Sequence, residues 1–164
     1  MKIEKVIGLM LCIGLSALTA RADGRGGFEA RIIGSAVGEH VAGIPSGGAP
    51  WKVARGEAHV SGSGKIEVEV KGLLIASGPA INTVGPVTMV LASLVCGDVV
   101  AASTEAAPLS SKGNFEIHDT ISVPSPCIAP AVLIQIAATT SGPVSNGPFI
   151  AVNALTSGDD EDGQ

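Results

Sequence analysis

Apolar and charged residues alternate most regularly between positions 57 and 71. Ile66, Val68 and Val70 are each followed by a charged residue, and Ala58 and Val60 each follow a polar one. Alternation with a period of two is typical of a strand that buries one face and exposes the other. The stretch therefore predicts two half-buried β-strands with a polar outer face.

These two strands are expected to form a hairpin with a fixed register. Val60 has to lie on the same face as Ile66, because a slip of one residue would bury the charged side chains. Pairing Val60 with Ile66 predicts a three-residue loop of sequence GSG at 62–64. Loops of this length favour a glycine in the left-handed conformation, and here that glycine is Gly64.

Strand signals continue along the chain on both sides of this hairpin. Trp51 and Val53 have the opposite parity to Ala58, and a β-bulge near Arg55 and Gly56 is expected to return them to the core side. In a later strand Gln135 is expected to point outward. A Gly- and Pro-rich stretch at 35–50 predicts a long loop. Further strands are predicted within 28–34, 81–96, 99–104, 113–123, 131–139 and 147–155.

About seven to eight strands and no helical period predict an all-β fold. The expected architecture is an antiparallel β-sandwich of the immunoglobulin or fibronectin type, and a β-barrel is the alternative. The chain is 46% hydrophobic and 15% charged, so a disordered chain is excluded. We expect a single domain over 28–156, after a flexible segment at 23–27 and before a disordered acidic tail at 157–164.

The first 22 residues have the pattern of a secretory signal peptide. Lys2 and Lys5 precede a short apolar run, and the sequence Ala-Arg-Ala ends at Ala22, a small-x-small cleavage pattern. The apolar run is short for a membrane span, so no span is expected in the mature chain, and an uncleaved anchor is the alternative. Cleavage after Ala22 would also remove Cys12. The sequence therefore predicts a secreted or periplasmic protein.

The charge of the predicted mature chain narrows the choice of partners. Residues 23–164 contain seven Lys or Arg and fourteen Asp or Glu, a formal net charge of −7. No basic cluster is present to contact phosphates, so nucleic acid is excluded as a partner, and anionic membrane surfaces are equally poor partners. We expect an unknown protein or surface ligand instead.

Cys96 and Cys127 are the two cysteines that remain after the signal peptide. An even number of cysteines in an exported chain first indicates a disulfide. A metal site would need further ligands, and no CxxC or HxxxH spacing is present. Free or intermolecular thiols are the remaining alternative. The prolines around Cys127 are expected to hold its segment out of regular strand pairing.

Four motifs together resemble a group of small secreted bacterial proteins of unknown function. In order they are GGAPWKV, the glycine-terminated strand VEVKGLLI, ASLVC, and SPCIAPAVLI. The resemblance covers most of the predicted mature chain. It implies a secreted β-sandwich and brings no activity, cofactor or site residue with it.

No catalytic motif is found, and we expect no enzyme and no cofactor. His118 and Asp119 are neighbours on a predicted strand, where adjacent side chains point to opposite faces, so they are not expected to form a dyad. A metal site is the alternative function. The hairpin register places His59 opposite Glu67 and Glu57 opposite Glu69, and these four side chains together could hold a divalent ion. The competing interpretation is a solvated sheet face.

The long loop offers a second candidate site. His40 lies within it and Trp51 directly follows it, so the two residues could form a binding edge, because recognition often uses loops. The competing interpretation makes Trp51 a core anchor. Taken together, the sequence predicts a secreted, non-catalytic binding or structural module.

Overall fold

The computed structural model describes residues 27–153, which form an all-β structure with no helix in that part of the chain. The predicted signal peptide at 1–22, nearly all of the segment 23–27 and the acidic tail at 157–164 lie outside the described residues. The strands are β1 (Phe28–Gly34), β2 (His40–Val41), β3 (Ile44–Pro45), β4 (Trp51–Lys52), β5 (Arg55–Val60), β6 (Lys65–Lys71), β7 (Leu74–Ile75), β8 (Val87–Cys96), β9 (Val99–Ser103), β10 (Ala107–Pro108), β11 (Phe115–Thr120), β12 (Pro130–Thr139), β13 (Gly142–Pro143) and β14 (Phe149–Asn153).

Ten of these strands belong to one large antiparallel sheet, which curls into a half-barrel. Its main path runs β10-β8-β12-β14-β1-β5-β6-β11, with β9 on β8 and β13 on β12. Strand β1 joins the two halves, because its residues 28–31 pair with β5 and its residues 32–34 pair with β14. The all-β antiparallel prediction is confirmed, whereas an immunoglobulin-type division into two sheets is not.

The hairpin predicted from the alternating pattern is present. Val60 pairs with Ile66, and the amide of Ser61 donates to the carbonyl of Lys65 at 2.8 Å, which leaves a three-residue loop. Gly64 has a φ of +94°, the left-handed conformation predicted for it. The amide of Ile121 also donates to the Gly64 carbonyl at 2.8 Å, so the loop is held against the end of β11.

The main core fills the inside of the curl. Val68 on β6 and Ile117 on β11 are buried there in one cluster with Leu94 on β8 and Val132 on β12, although these two pairs of neighbouring strands lie near opposite ends of the sheet order. Burial of β-branched and leucine side chains is the principal stabilising contribution expected for a chain with so few aromatic residues. The curl therefore brings the two halves of the sheet face to face.

A second, smaller core lies on the other face of β8, β12 and β14. Val95, Leu133 and Phe149 are buried there, with Val41 and Ile44 of the β2–β3 hairpin packed against them. The stretch 35–50 was predicted as a plain loop, and this prediction was incomplete, because the stretch contains that hairpin. The amide of Gly47 donates to the carbonyl of Phe149 at 2.8 Å and fastens the hairpin region to β14.

The second core also corrects the prediction that Gln135 points outward to solvent. The residue is only 6% exposed, because its part of the sheet is covered on both faces. The Gln135 side-chain oxygen accepts a hydrogen bond from Ser93 Oγ at 2.5 Å, and its Nε2 donates to the Gly147 carbonyl at 2.7 Å. A buried amide with partners on both its atoms is compatible with a core position.

Cys96 and Cys127 form the predicted disulfide, with Cα atoms 5.0 Å apart. Cys96 ends β8, and Cys127 lies in the connector before β12 rather than in the strand itself. The connector is outside regular pairing up to Pro130, which lies opposite Cys96. The disulfide therefore ties the connector to the end of the neighbouring strand.

Candidate functional site

The outer face of β1, β5, β6 and β11 carries most of the ionisable side chains of the described residues. On each strand the alternate residues point into the main core, so period-two alternation leaves the others in solvent. We call this surface the charged face. Its residues are Glu29, Arg31, Arg55, Glu57, His59, Lys65, Glu67, Glu69, Lys71, Glu116, His118 and Thr120.

The strand register arranges the two histidines of this face around one glutamate. His59 on β5 and His118 on β11 both lie directly opposite Glu67 on the intervening strand β6. Glu29 on β1 lies opposite His59 on its other side. We call these four residues the histidine row. In it, His118 Nδ1 is 3.8 Å from Glu67 Oε1.

The adjacent row places three carboxylates side by side. Glu57 on β5, Glu69 on β6 and Glu116 on β11 lie directly opposite one another. Arg31 on β1 lies opposite Glu57 on the other side of β5. We call Glu57, Glu69 and Glu116 the carboxylate row. Like charges that face each other across strands lower the stability of a sheet. The side chains of Glu57, Glu69 and Glu116 are exposed and alternate with the buried residues of their strands.

Basic side chains at the ends of the strands partly neutralise these acids. Lys65 Nζ is 2.5 Å from a carboxylate oxygen of Glu67, Lys71 Nζ is 2.7 Å from one of Glu69, and Arg55 is 3.2 Å from Glu57. All six side chains are substantially exposed, and exposed ion pairs contribute little to stability. Each of these side chains can therefore exchange its present partner for another charged group at little cost in stability.

The same basic groups lower the pKa values of two glutamates. The hydrogen bond and charge of Lys65 lower the pKa of Glu67, and His118 and His59 lower it further. Lys71 lowers the pKa of Glu69 in the same way, with smaller contributions from Arg55 and His118. Both glutamates are consequently ionised at neutral pH. Glu67 is within electrostatic reach of both histidines of its row.

Six of these polar side chains line one shallow depression of about 190 Å³ at the centre of the charged face. The four residues of the predicted metal site are among them, in the cross-strand pairs that were predicted. His118 was missed as a member, because the sequence pattern does not show that β11 pairs with β6. The six are Glu29, Glu57, His59, Glu67, Glu69 and His118.

Metal ligands are not preassembled in this structure. Within residues 27–153, no group of three or more histidine, cysteine, aspartate or glutamate side chains is arranged to hold a metal ion. Glu67 Oε1 contacts Lys65 Nζ and is 3.8 Å from His118 Nδ1. The metal site therefore stays a prediction.

The two residues of the predicted binding edge occupy different environments. His40 is exposed on β2, where its ring nitrogen Nδ1 is 3.3 Å from the carbonyl of Gly38. Trp51 is 7% exposed and packs in the main core, which matches the competing interpretation of this residue as a core anchor. The structure does not bring the two side chains to one exposed surface, so any binding edge here rests on His40 and its hairpin.

His118 and Asp119 point to opposite sides of β11. The carboxylate of Asp119 accepts hydrogen bonds from the amides of Glu105 at 2.9 Å and Thr120 at 2.7 Å, and these bonds lower its pKa. His118 approaches Glu67 instead. The two neighbours therefore have separate partners.

Comparisons of the chain with protein-family models, with curated proteins and with solved structures give no match. Across residues 27–153, no helical segment has the length and apolar character needed to cross a membrane.

Proposed function

We propose that this protein is a secreted, non-catalytic binding module and that the charged face is its binding surface. The observation that carries the proposal is the carboxylate row formed by Glu57, Glu69 and Glu116. A row of like charges lowers stability, and unfavourable local choices of this kind tend to occur where function requires them. A ligand or partner that presents positive charge would remove the repulsion on binding.

The remainder of the structure is consistent with binding rather than catalysis. His118 and Asp119 have separate partners, so they supply no base held by an orienting acid. The charged face is a shallow sheet surface, whereas enzymes usually enclose their substrates in deeper clefts. A metal-binding or metal-carrying protein is the second candidate, because the histidine row places His59 and His118 on the two sides of Glu67.

Secretion is supported by two independent features. The pattern of residues 1–22 is that of a signal peptide. The disulfide between Cys96 and Cys127 is of the kind that persists in oxidising compartments such as the periplasm or the cell exterior. The resemblance to small secreted bacterial proteins points the same way and stays a prediction.

The finer architecture is also a proposal. We interpret the curled sheet as a β-sandwich whose two layers remain joined through β1. In support, Val68 of one half and Val132 of the other belong to the same buried cluster. The immunoglobulin or fibronectin type would be supported by a solved relative with the same strand order.

Binding to the charged face can be tested with an immobilised oligolysine peptide in buffer that contains EDTA. The test variant replaces Glu57, Glu69 and Glu116 by glutamine. The control variant neutralises three acids outside the carboxylate row, namely Asp98, Glu105 and Asp160 of the acidic tail. Both variants change the net charge by the same amount.

We expect the test variant to bind about tenfold more weakly than the wild type, because three exposed charge pairs are lost. The control variant should bind like the wild type. Equal weakening of both variants would show that only net charge matters, and failure of the wild type to bind would show that the face does not select cations. Either result would reject the proposal.

A further inference from the structure

The histidine row has the composition of a transition-metal site. Its side chains offer two imidazole nitrogens and carboxylate oxygens, and no sulfur. Imidazole suits zinc, copper and nickel, and two histidines with one carboxylate are a common ligand set for divalent ions of this class. Calcium instead takes six to eight oxygen ligands, which this row does not supply.

The spacing of the row fits one ion above β6. Directly opposite residues on neighbouring strands have Cβ atoms about 4.5–5.5 Å apart, so Glu67 stands at this distance from both histidines. Ligand atoms about 2.0–2.2 Å from a tetrahedral zinc ion are roughly 3.3 Å from each other. His118 Nδ1 and Glu67 Oε1 are 3.8 Å apart, so a small rotation brings them to this separation.

One of these three ligands, Glu67, is engaged by Lys65 in this structure. The Glu67 oxygen that approaches His118 is the same oxygen that contacts Lys65 Nζ at 2.5 Å. Lys65 is 63% exposed in its side chain, and an ion pair of this kind is weak enough to be displaced. Lys65 therefore acts as a competitor of the ion for Glu67.

We propose that His59, Glu67 and His118 bind one divalent transition-metal ion of the zinc class, in competition with Lys65. Glu29, opposite His59, is the nearest further carboxylate of the row. This set differs from the one the sequence predicted, because His118 enters as a ligand and Glu57 and Glu69 become neighbours. The proposal shares the charged face with the proposed binding function, but it concerns the metal alone.

The test is an isothermal calorimetric titration of the purified full-length chain with zinc chloride. We expect saturation near one zinc per chain. His59→Ala and His118→Ala should each weaken binding by at least about tenfold. His40→Ala is the matched control, since His40 is the exposed histidine of the β2–β3 hairpin, and it should bind like the wild type. Because the acidic tail at 157–164 contains no histidine, these variants separate its contribution from that of the row.

Two further variants test the specific ligand set. Lys65→Gln should bind zinc more tightly than the wild type, since Glu67 is then free. Glu57→Gln should change the affinity less than threefold, which separates the proposed set from the one that uses Glu57. The proposal would be overturned if the wild type showed no saturable binding up to millimolar zinc. It would also be overturned if His118→Ala bound zinc like the wild type, or if His40→Ala lost as much zinc affinity as His118→Ala. The oligolysine assay contains EDTA, so its outcome is independent of this one.

Discussion

Cys96 and Cys127 are joined by a disulfide that fixes the connector before β12 to the end of β8, 31 residues earlier in the chain. The connector is otherwise held by few backbone contacts, one being the hydrogen bond from the Gly97 amide to the Ile128 carbonyl at 2.6 Å. The bridge also lies beside an apolar cleft lined by Phe28, Leu94 and Pro130. Its main physical effect is expected in the unfolded chain, which it cross-links.

The first prediction concerns the contribution of this disulfide to stability. Closing a loop of 31 residues should stabilise the protein by roughly 3–4 kcal/mol on the loop-entropy model. We expect Cys96→Ala/Cys127→Ala to lower the free energy of unfolding in urea by roughly this amount while retaining the strand content seen by circular dichroism. Reductant should destabilise the wild type and leave the double variant unchanged. Two free thiols on alkylation of the non-reduced protein would contradict the assignment.

The second prediction concerns Gly64 in the β5–β6 loop. A Cβ at this position would overlap the carbonyl oxygen of Ile121 and would also require a left-handed φ of +94°. Gly38 is a matched control, because its φ is +83° and a Cβ there meets nothing within 4 Å. Gly38→Ala should therefore cost about 1–2 kcal/mol of unfolding free energy from conformation alone.

Gly64→Ala should cost more than that, about 3 kcal/mol or more, because the end of β11 has to move away from the loop. Urea denaturation of the two variants side by side measures the difference. Equal destabilisation would mean that the contact between the loop and Ile121 contributes nothing.

The third prediction concerns repulsion in the carboxylate row. Glu116 faces Glu69 directly, and the salt bridges of the described residues include none to Glu116. Glu116→Gln should raise the free energy of unfolding by about 0.5 kcal/mol or less at low ionic strength. The gain should vanish in 1 M salt, since exposed charges are screened there. Destabilisation at low salt would show that the row is compensated by contacts other than those described.

These examples show which features the sequence pattern predicts. The β5–β6 register follows from local alternation, because a slip would bury charge, and the structure confirms it. The pairing of β11 with β6 joins residues 45 to 55 positions apart, from Phe115 opposite Val70 to Thr120 opposite Lys65. No local pattern specifies which strand a half-buried strand will meet. The sequence therefore placed His118 on the face of its strand opposite to Asp119 without its neighbour Glu67 being known.

The second core illustrates the same limit. Gln135 was predicted to face solvent from its place in an alternating strand, and the alternation was correct. What alternation does not show is that the β2–β3 hairpin covers the outer face of β8, β12 and β14. The sequence signal for a buried Gln135 was the continuous run of Val, Leu and Ile in which it lies, because such runs indicate a strand that is buried on both faces.

The fourth prediction concerns acid pH. The amides of Glu105 and Thr120 lower the pKa of Asp119, so this carboxylate stabilises the fold while it is ionised. The stabilisation is fully present above the ordinary pKa of 3.8 and is lost as the pH falls through the lower folded-state value. Glu67 and Glu69 act in the same direction below pH 4.5.

We therefore expect the free energy of unfolding to be nearly constant between pH 7 and 5 as far as these groups are concerned, and to fall below pH 4.5. Urea denaturation from pH 7 to 3 measures this. Asp119→Asn should be less stable than the wild type at pH 7, and the difference should narrow toward pH 3. A difference that stays constant across that range would show that the charge of Asp119 is not responsible.

The fifth prediction concerns the buried chain of hydrogen bonds through Ser93 and Gln135. Ser93 has one hydroxyl hydrogen, which it donates to Gln135 Oε1, so the hydroxyl of Ser103, 2.7 Å away, has to be the donor to Ser93. Gln135 Nε2 in turn donates to the Gly147 carbonyl. The donor and the acceptor of each of these three hydrogen bonds are thus determined. Because Ser93 and Gln135 are both buried, each lost bond leaves a polar group without access to water.

Gln135→Met removes the amide at similar volume, so the Ser93 O–H loses its acceptor and the Gly147 carbonyl loses its donor. We expect it to lower the free energy of unfolding by about 2–4 kcal/mol, since each unsatisfied buried group costs about 1–3 kcal/mol. Ser93→Ala/Gln135→Met removes both members of the buried pair, so it should destabilise by less than the sum of the two single variants, because the stranded hydroxyl is absent. Additive effects in urea denaturation would mean that Ser93 and Gln135 stabilise the fold independently of each other. The contribution of Gln135 to the free energy of unfolding would then not come from its hydrogen bond with Ser93.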